Sequence, residues 1–304
     1  MNSFVEEFKH AFKRPDNGLM KIIVINTVIF LGLWILEVPF ALAKRPDLHL
    51  FIVSLLSIPS DLGEFITRPW TLFTYFFTHT GFFHFLFNML FLYWFGRLIV
   101  EYLGNRKLVS LYVLGGLAGG ILFLLIYNLV PYFADRVALS TMLGASAGVL
   151  AIVVGAATLM PNYTFVLLLI GPVKIKYIAI FQVFMSYVNM AGANAGGEIA
   201  HLGGALVGFL FIKQLQGGTD WGTPVWAVID YFDGLFTRKS KIKVSHSNRG
   251  SSRSAYNSNT GKTININPRT DQNEIDAILD KISESGYESL SKEEKQKLFN
   301  ASKK

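Results

Sequence analysis

Between Met20 and Leu215 the chain returns repeatedly to long apolar stretches that carry no charge, and residues 1–216 hold only fourteen Lys or Arg and ten Asp or Glu. A backbone inside hydrocarbon must satisfy its own polar groups, so such stretches fold there as helices packed beside one another. Across all 304 residues 51% are hydrophobic and 16% charged, too apolar a mixture for an ordinary soluble enzyme. Hydropathy therefore predicts an all-α polytopic membrane protein with six spans, at 20–43, 84–103, 107–130, 146–159, 175–187 and 197–215. Residues 165–170 are expected to extend the fifth span. The first run ends in Ala41-Leu42-Ala43, yet it is too long for a signal peptide and reads as a retained span.

Around these spans the chain divides further. Residues 1–19 form an N-terminal segment with Lys9, Lys13 and Arg14. Residues 44–83, rich in Phe and carrying Trp70 and Tyr75, are expected in the outer interface, where aromatic rings suit both phases. Residues 217–236 read as an interfacial amphipathic segment. Residues 237–263 hold seven Lys or Arg and no acid among Ser and Asn, a disordered linker by composition. Residues 264–304 form a small soluble helical hairpin. There Ile275, Ile278, Leu279 and Ile282 keep helical spacing up to Ser285-Gly286, and Ser291 with Glu294 makes a capping box. A hairpin this small buries little surface alone, so 271–302 are expected to dock on the core, on a second copy or on a cytosolic partner.

The net charge of +7 points to membrane topology and lipid contact, not to nucleic acid, because the basic residues sit in short loops and in the linker. Arg97, Arg106, Lys107, Lys174 and Lys176 place both termini in the cytosol. Ser146 then lies nearer the extracytoplasmic face.

The fourth span poses the chemical question. Fourteen residues from Ser146 to Leu159 rise about 21 Å against a hydrocarbon core of about 30 Å, so Ser146 starts its helix below the membrane surface. A hydroxyl approached there by irregular backbone is tolerated only against protein or a wet cavity. It is either a packing residue or a nucleophile. Candidate partners are few. The chain has six histidines and no cysteine, which removes disulfides, thiol chemistry and Cys-ligated zinc. No His-Glu-x-x-His motif occurs, and His79 and His84, five apart, would diverge by about 140° on a helix. The acids in or beside the spans, Glu37, Glu101 and Glu198, do not supply an aspartyl pair. His201 lies in the middle of the sixth apolar run, where an ionisable group is by default functional. His84 and Asn88 share a face of the second span and could serve as interhelical glue or as donors to an anion. Glu198, at i−3 from His201, is expected near the helix start as a solvent-facing charge. A dyad is therefore preferred to a triad. No metal or cofactor is implied.

Taken in order, His84-x-x-x-Asn88, Gly144-Ala145-Ser146 and Ala200-His201-x-x-Gly204-x-x-x-Gly208 resemble the rhomboid intramembrane serine proteases, from about Pro69 to Gly208. Thr78-His79-x-x-x-x-His84 and Gly96-Arg97 with Glu101 and Gly104 belong to the same likeness. The resemblance implies a six-helix bundle of the bacterial kind with a cytosolic helical extension, set in the inner cell membrane. It implies Ser146 as nucleophile, His201 as general base and then acid, and an oxyanion site from the Ser146 amide, His84 and Asn88. The implied substrates are transmembrane helices, cut near their extracytoplasmic ends. Glycines 204 and 208 would bring span six against span four. Ala147 stands where the family commonly has glycine, Leu150 where an aromatic often stacks on the imidazole, and Trp70-Thr71 where Trp-Arg is common. The alternative is a non-proteolytic rhomboid-like protein that binds membrane clients. A transporter would show paired charges or inverted repeats, and neither is present.

Overall fold

The computed structural model describes residues 17–167, 170–236, 254–256, 263–265, 268–285 and 289–301. The chain divides into two compact units between Arg238 and Lys239. In the first, α1 (Gly18–Leu42) and α2 (Pro46–Leu56) precede β1 (Ile58–Pro59), α3 (Leu62–Thr67), α4 (Thr71–Thr74) and a 3-10 turn, Tyr75–Phe77. Then come α5 (Phe82–Leu129), a second 3-10 turn (Pro131–Arg136), β2 (Thr141–Met142) and α6 (Ser146–Leu159). The hairpin β3 (Thr164–Leu167) and β4 (Gly171–Lys174) leads to α7 (Ile175–Asn189), α8 (Ala195–Gln216) and α9 (Thr223–Phe236).

The second and third spans are one 48-residue helix, α5, interrupted only at Gly104, whose φ of 82° and ψ of 167° leave helical geometry. A positive φ of this size favours glycine. Helices α1, α5 and α8 are long and apolar enough to cross a membrane. Among the described residues the two arms of α5, with α1, α6, α7 and α8, occupy the six predicted spans, and α2 is a further short apolar helix.

Helix α6 is the centre of the bundle. Val149, Leu150, Ala151, Ile152 and Val153 are all buried in succession, and a helix buried on every side lies inside its bundle. Its neighbours reach it backbone to backbone. A Cβ at Gly204 would lie 2.0 Å from the Ala147 carbonyl oxygen, and one at Gly208 would lie 2.3 Å from that of Ala151. From the other side, a Cβ at Gly115 would fall 2.3 Å from the Ala151 methyl. Small residues four apart are what permit this approach. Here they clamp α6 between α8 and the second arm of α5.

The stretch 44–81 is not a simple interfacial loop. Tyr75, expected among rings at the interface, is 1% exposed, and its hydroxyl donates to the Gly116 carbonyl. A phenol taken out of water needs such an acceptor. Ile58 pairs with Met142 and Pro59 with Thr141 in a short antiparallel ladder. Ser60 Oγ donates to the carbonyls of Val137 and Ser140, at 2.7 and 2.9 Å. Asn128 Nδ2 donates to the Ser60 carbonyl at 2.8 Å. The segment thus ties the connection before Ser146 to the end of α5.

A second departure concerns Phe165 and Val166, expected to prolong the fifth span. They lie in β3, paired with Val173 and Pro172 of β4, and the helix starts only at Ile175. A six-residue apolar run fits strand and helix equally well, and Gly171, with φ of 87°, ends the run in a turn.

Beyond α8, Trp226 of α9 donates its indole N–H to the Arg106 carbonyl at 2.9 Å, and the Arg106 guanidinium lies 4.8 Å from the ring centroid. Lys107 pairs with Asp220. Val228, Tyr231, Phe232 and Leu235 remain exposed on α9, as an interfacial segment requires.

In the second unit, α10 (Pro268–Ser285) and α11 (Lys292–Ala301) form the hairpin, and β5 (Ser254–Tyr256) pairs with β6 (Thr263–Asn265). The rest of 237–263, and residues 1–16, lie outside the described residues. Ile278 and Leu290 are buried. Ser291 N–H donates to Glu294 Oε2 at 2.7 Å, and Glu294 N–H donates to Ser291 Oγ at 3.2 Å, which completes the capping box.

Two outcomes follow from this packing. Gly204→Ala should destabilise the bundle by about 1–3 kcal/mol through overpacking, whereas Gly32→Ala, where a Cβ meets nothing within 4 Å, should not; thermal unfolding in detergent reads the difference. The Ser291 N–H, then the Lys281 ammonium, hold the Glu294 carboxyl below its ordinary value. A depressed folded value means that the stabilisation is full above the ordinary carboxylate range and is lost as pH falls through the folded value. Amide protection in 289–301, relative to the intrinsic exchange rate at each pH, should fall on acidification below that range, and this fall should be absent in Glu294→Gln.

Candidate active site

Ser146 is the first residue of α6. Its N–H belongs to the opening turn, which has no acceptor within the helix, because the first backbond recorded there runs from Val149 to the Ala145 carbonyl at 3.0 Å. The approach to it is irregular and pinned. Gly144, at φ of 129°, donates its N–H to the Tyr75 carbonyl at 2.9 Å. A Cβ at Gly144 would lie 2.6 Å from His84 Cε1, so glycine serves both conformation and space at this position. The next amide, that of Ala145, donates to His79 Nε2 at 3.2 Å in a fully buried contact.

His79 therefore has a structural duty that its spacing from His84 does not reveal. The expectation that the two rings diverge assumed one helix, but α5 begins at Phe82, after His79. The imidazoles pack edge to face with centroids 5.2 Å apart. Nε2 accepts from Ala145, which puts the proton of the neutral ring on Nδ1.

A cavity of about 460 Å³ opens over Ser146. His84 and Asn88 line it from α5, Ser146 and Leu150 from α6, Gln182 and Ser186 from α7, and Glu198 and His201 from α8. All four residues singled out in the sequence, Ser146, His201, His84 and Asn88, thus meet at one hollow, which Phe83, Phe87 and Phe181 wall with apolar surface. Asn88 Nδ2 donates to the His84 carbonyl at 2.8 Å, which fixes the amide while leaving its second N–H. Ala147 fits without a glycine at its position, because its methyl fills room left by Gly119, where a Cβ would lie 2.5 Å away.

His201 departs most from expectation. Its Nδ1 lies 3.0 Å from Ser186 Oγ and 3.2 Å from Glu198 Oε2. The Glu198 side chain is only 18% exposed, so it is no solvent-facing charge. Helix α8 begins at Ala195, two residues before the predicted start, and Glu198 lies in its first turn as expected, but with its carboxylate on His201. Ser186 was not singled out. Gln182 and Ser186, four apart in an apolar helix, mark one polar face and were the available signal. Among the described residues no cluster suited to a metal ion occurs.

With this geometry in place, comparison with known proteins is informative. Residues 67–215 match the Rhomboid domain family. The chain is 29% identical over 211 residues to Rhomboid protein 1, mitochondrial, of Saccharomyces cerevisiae, covering 68% of this chain and 56% of that one. It is also 29% identical over 160 residues to RHOMBOID-like protein 12, mitochondrial, of Arabidopsis thaliana, covering 50% of this chain and 48% of the relative.

Residues 67–215 are a rhomboid domain. Rhomboid proteins are in general intramembrane serine proteases, and the long apolar helices of this chain make it a multi-pass membrane protein. It spans about half the length of the curated relatives it matches. Residues 262–304 match a family of unknown function (DUF6576), which sets the C-terminal hairpin apart from the rhomboid domain.

The buried loop contact can be tested directly. His79→Leu leaves the Ala145 N–H without an acceptor and should lower stability by about 1–3 kcal/mol. Thermal unfolding should show the loss, and hydrogen exchange should place the new mobility at 143–146.

Proposed function

We propose that this rhomboid protein is an endopeptidase that cleaves transmembrane helices near their extracytoplasmic ends, with Ser146 as nucleophile and His201 as general base. The observation that carries the reading is the convergence of a helix-opening serine, an intramembrane histidine and two further polar side chains on one cavity. An isolated packing serine has no use for such company.

The chemistry follows from that arrangement. His201 Nδ1 faces Ser186 and Glu198, which leaves Nε2 as the acceptor for the Ser146 hydroxyl proton. Oγ attacks the scissile carbonyl carbon as the proton passes to Nε2. The resulting oxyanion is met by the Ser146 N–H and by the His84 and Asn88 side chains; a donor of this kind is typically worth about 2.7–4 kcal/mol of barrier. The C–N bond then breaks, and the imidazolium returns the proton to the leaving amine. Water attacks the acyl enzyme and gives its proton to Nε2, and Ser146 leaves protonated. No metal or cofactor enters any step.

The substrates are single-span or other membrane proteins whose helices unwind locally to offer a peptide bond to the cavity. Loop charges support an orientation with both termini in the cytosol and the cavity toward the far side of a cell membrane. In this reading lipids contact the basic linker, and a cytosolic partner or a second copy engages residues 271–302.

Ser146→Ala and His201→Ala should each abolish cleavage of a single-span reporter while the protein still inserts and melts normally. A serine-reactive phosphonate should label the wild type and neither variant. Cleavage that survives in Ser146→Ala would overturn the reading.

A further inference from the structure

We infer that Glu198 and Ser186 are positioning residues that together hold the His201 imidazole with Nε2 toward Ser146, so that the site works as a supported dyad and not a bare one. The inference rests on the endopeptidase reading and deepens it.

The sequence creates the need. A stacked aromatic could fix an imidazole plane, but Leu150, which lines the cavity one turn after Ser146, has no ring to offer. A histidine free to rotate about its χ2 presents Nε2 to the serine only part of the time. The ring is instead held from its other edge. Ser186 Oγ on α7 lies 3.0 Å from Nδ1, and Glu198 Oε2, one turn before His201 on α8, lies 3.2 Å from it. Ser186 is 3% exposed, so water competes little for this contact.

The contacts at Nδ1 do more than aim the ring. They keep the Nδ1–H tautomer, the one whose Nε2 lone pair can take a proton. The carboxylate also stabilises the imidazolium that forms during attack, because an anion beside a cation favours the charged form. The hydroxyl contributes aim without charge. The two residues should therefore fail differently when changed. The other titratable or charged group facing His201 is His84, from α5; α6 offers Ser146 and Leu150 and α7 offers Gln182 and Ser186, all uncharged.

The test compares Glu198→Gln and Ser186→Ala with the wild type, measuring kcat and KM on a single-span reporter in proteoliposomes. Glu198→Gln should lower kcat by about ten- to a hundredfold, the range for one lost charge-assisted hydrogen bond, with KM little changed. Ser186→Ala should lower kcat less, and Ser186→Thr, which restores a hydroxyl, should recover activity. Should Glu198→Gln not accumulate in the membrane, Glu198→Asp keeps the charge at a shorter reach, and reduced kcat with KM little changed supports the same role. Wild-type kcat in Glu198→Gln, or wild-type kcat in Glu198→Asp, would overturn it. Ser146→Ala is assayed alongside: cleavage there defeats the endopeptidase reading itself, whereas an inactive Ser146→Ala beside an unaffected Glu198→Gln defeats only the positioning role.

Discussion

The contact between the backbone of α6 and that of α8, at Ala147 with Gly204 and Ala151 with Gly208, is what everything else in the membrane unit depends on. In lipid there is little hydrophobic gain in bringing two apolar helices together, so close backbone approach and van der Waals contact must hold them. The same approach sets one residue of α6 and one of α8 at the rim of a shared cavity. Stability and chemistry therefore have a common origin here. A helix too short to cross the bilayer alone is kept buried by its neighbours, and its free first turn becomes usable because it is held below the surface.

The segment of short helices and turns from Pro46 to Thr80 completes this arrangement. It supplies the Tyr75 carbonyl to Gly144, the His79 imidazole to Ala145, and Ile58 and Pro59 to the strand before the serine loop. Each of these groups satisfies a backbone polar atom that water does not reach, which is the condition for nonhelical chain at this depth. The aromatic richness of the segment reflects burial as much as contact with the interface.

Much of this was legible in the sequence for simple reasons. Hydropathy marks apolar helices, Gly104 marks the break in α5, and Ser146 to Leu159 is delimited by small residues before it and Pro161 after it. The capping box at Ser291 and Glu294 is local and therefore readable. His84, Asn88, Ser146 and His201 were picked out because polar groups in apolar runs stand apart. What was missed is nonlocal. The His79 bond to Ala145 joins residues 66 positions apart, and Ser186 reaches His201 from another helix. Glu198 does lie in the first turn of α8, but its carboxylate turns along the helix to His201 instead of to water, a side-chain orientation that spacing alone leaves open. Residues 165–167 were misread because alternation and helix cannot be told apart over so short a stretch.

Ala147 shows how far this packing reaches. Its methyl group occupies the room that Gly119 vacates on the facing arm of α5, where an added carbon would sit 2.5 Å away. The two positions hold one methyl between them. Position 119 is closed from α8 as well, since the same added carbon would meet the Ala200 carbonyl oxygen at 2.9 Å. The room for the methyl next to Ser146 is thus set by a glycine on another helix, and alanine at 119 would import a clash.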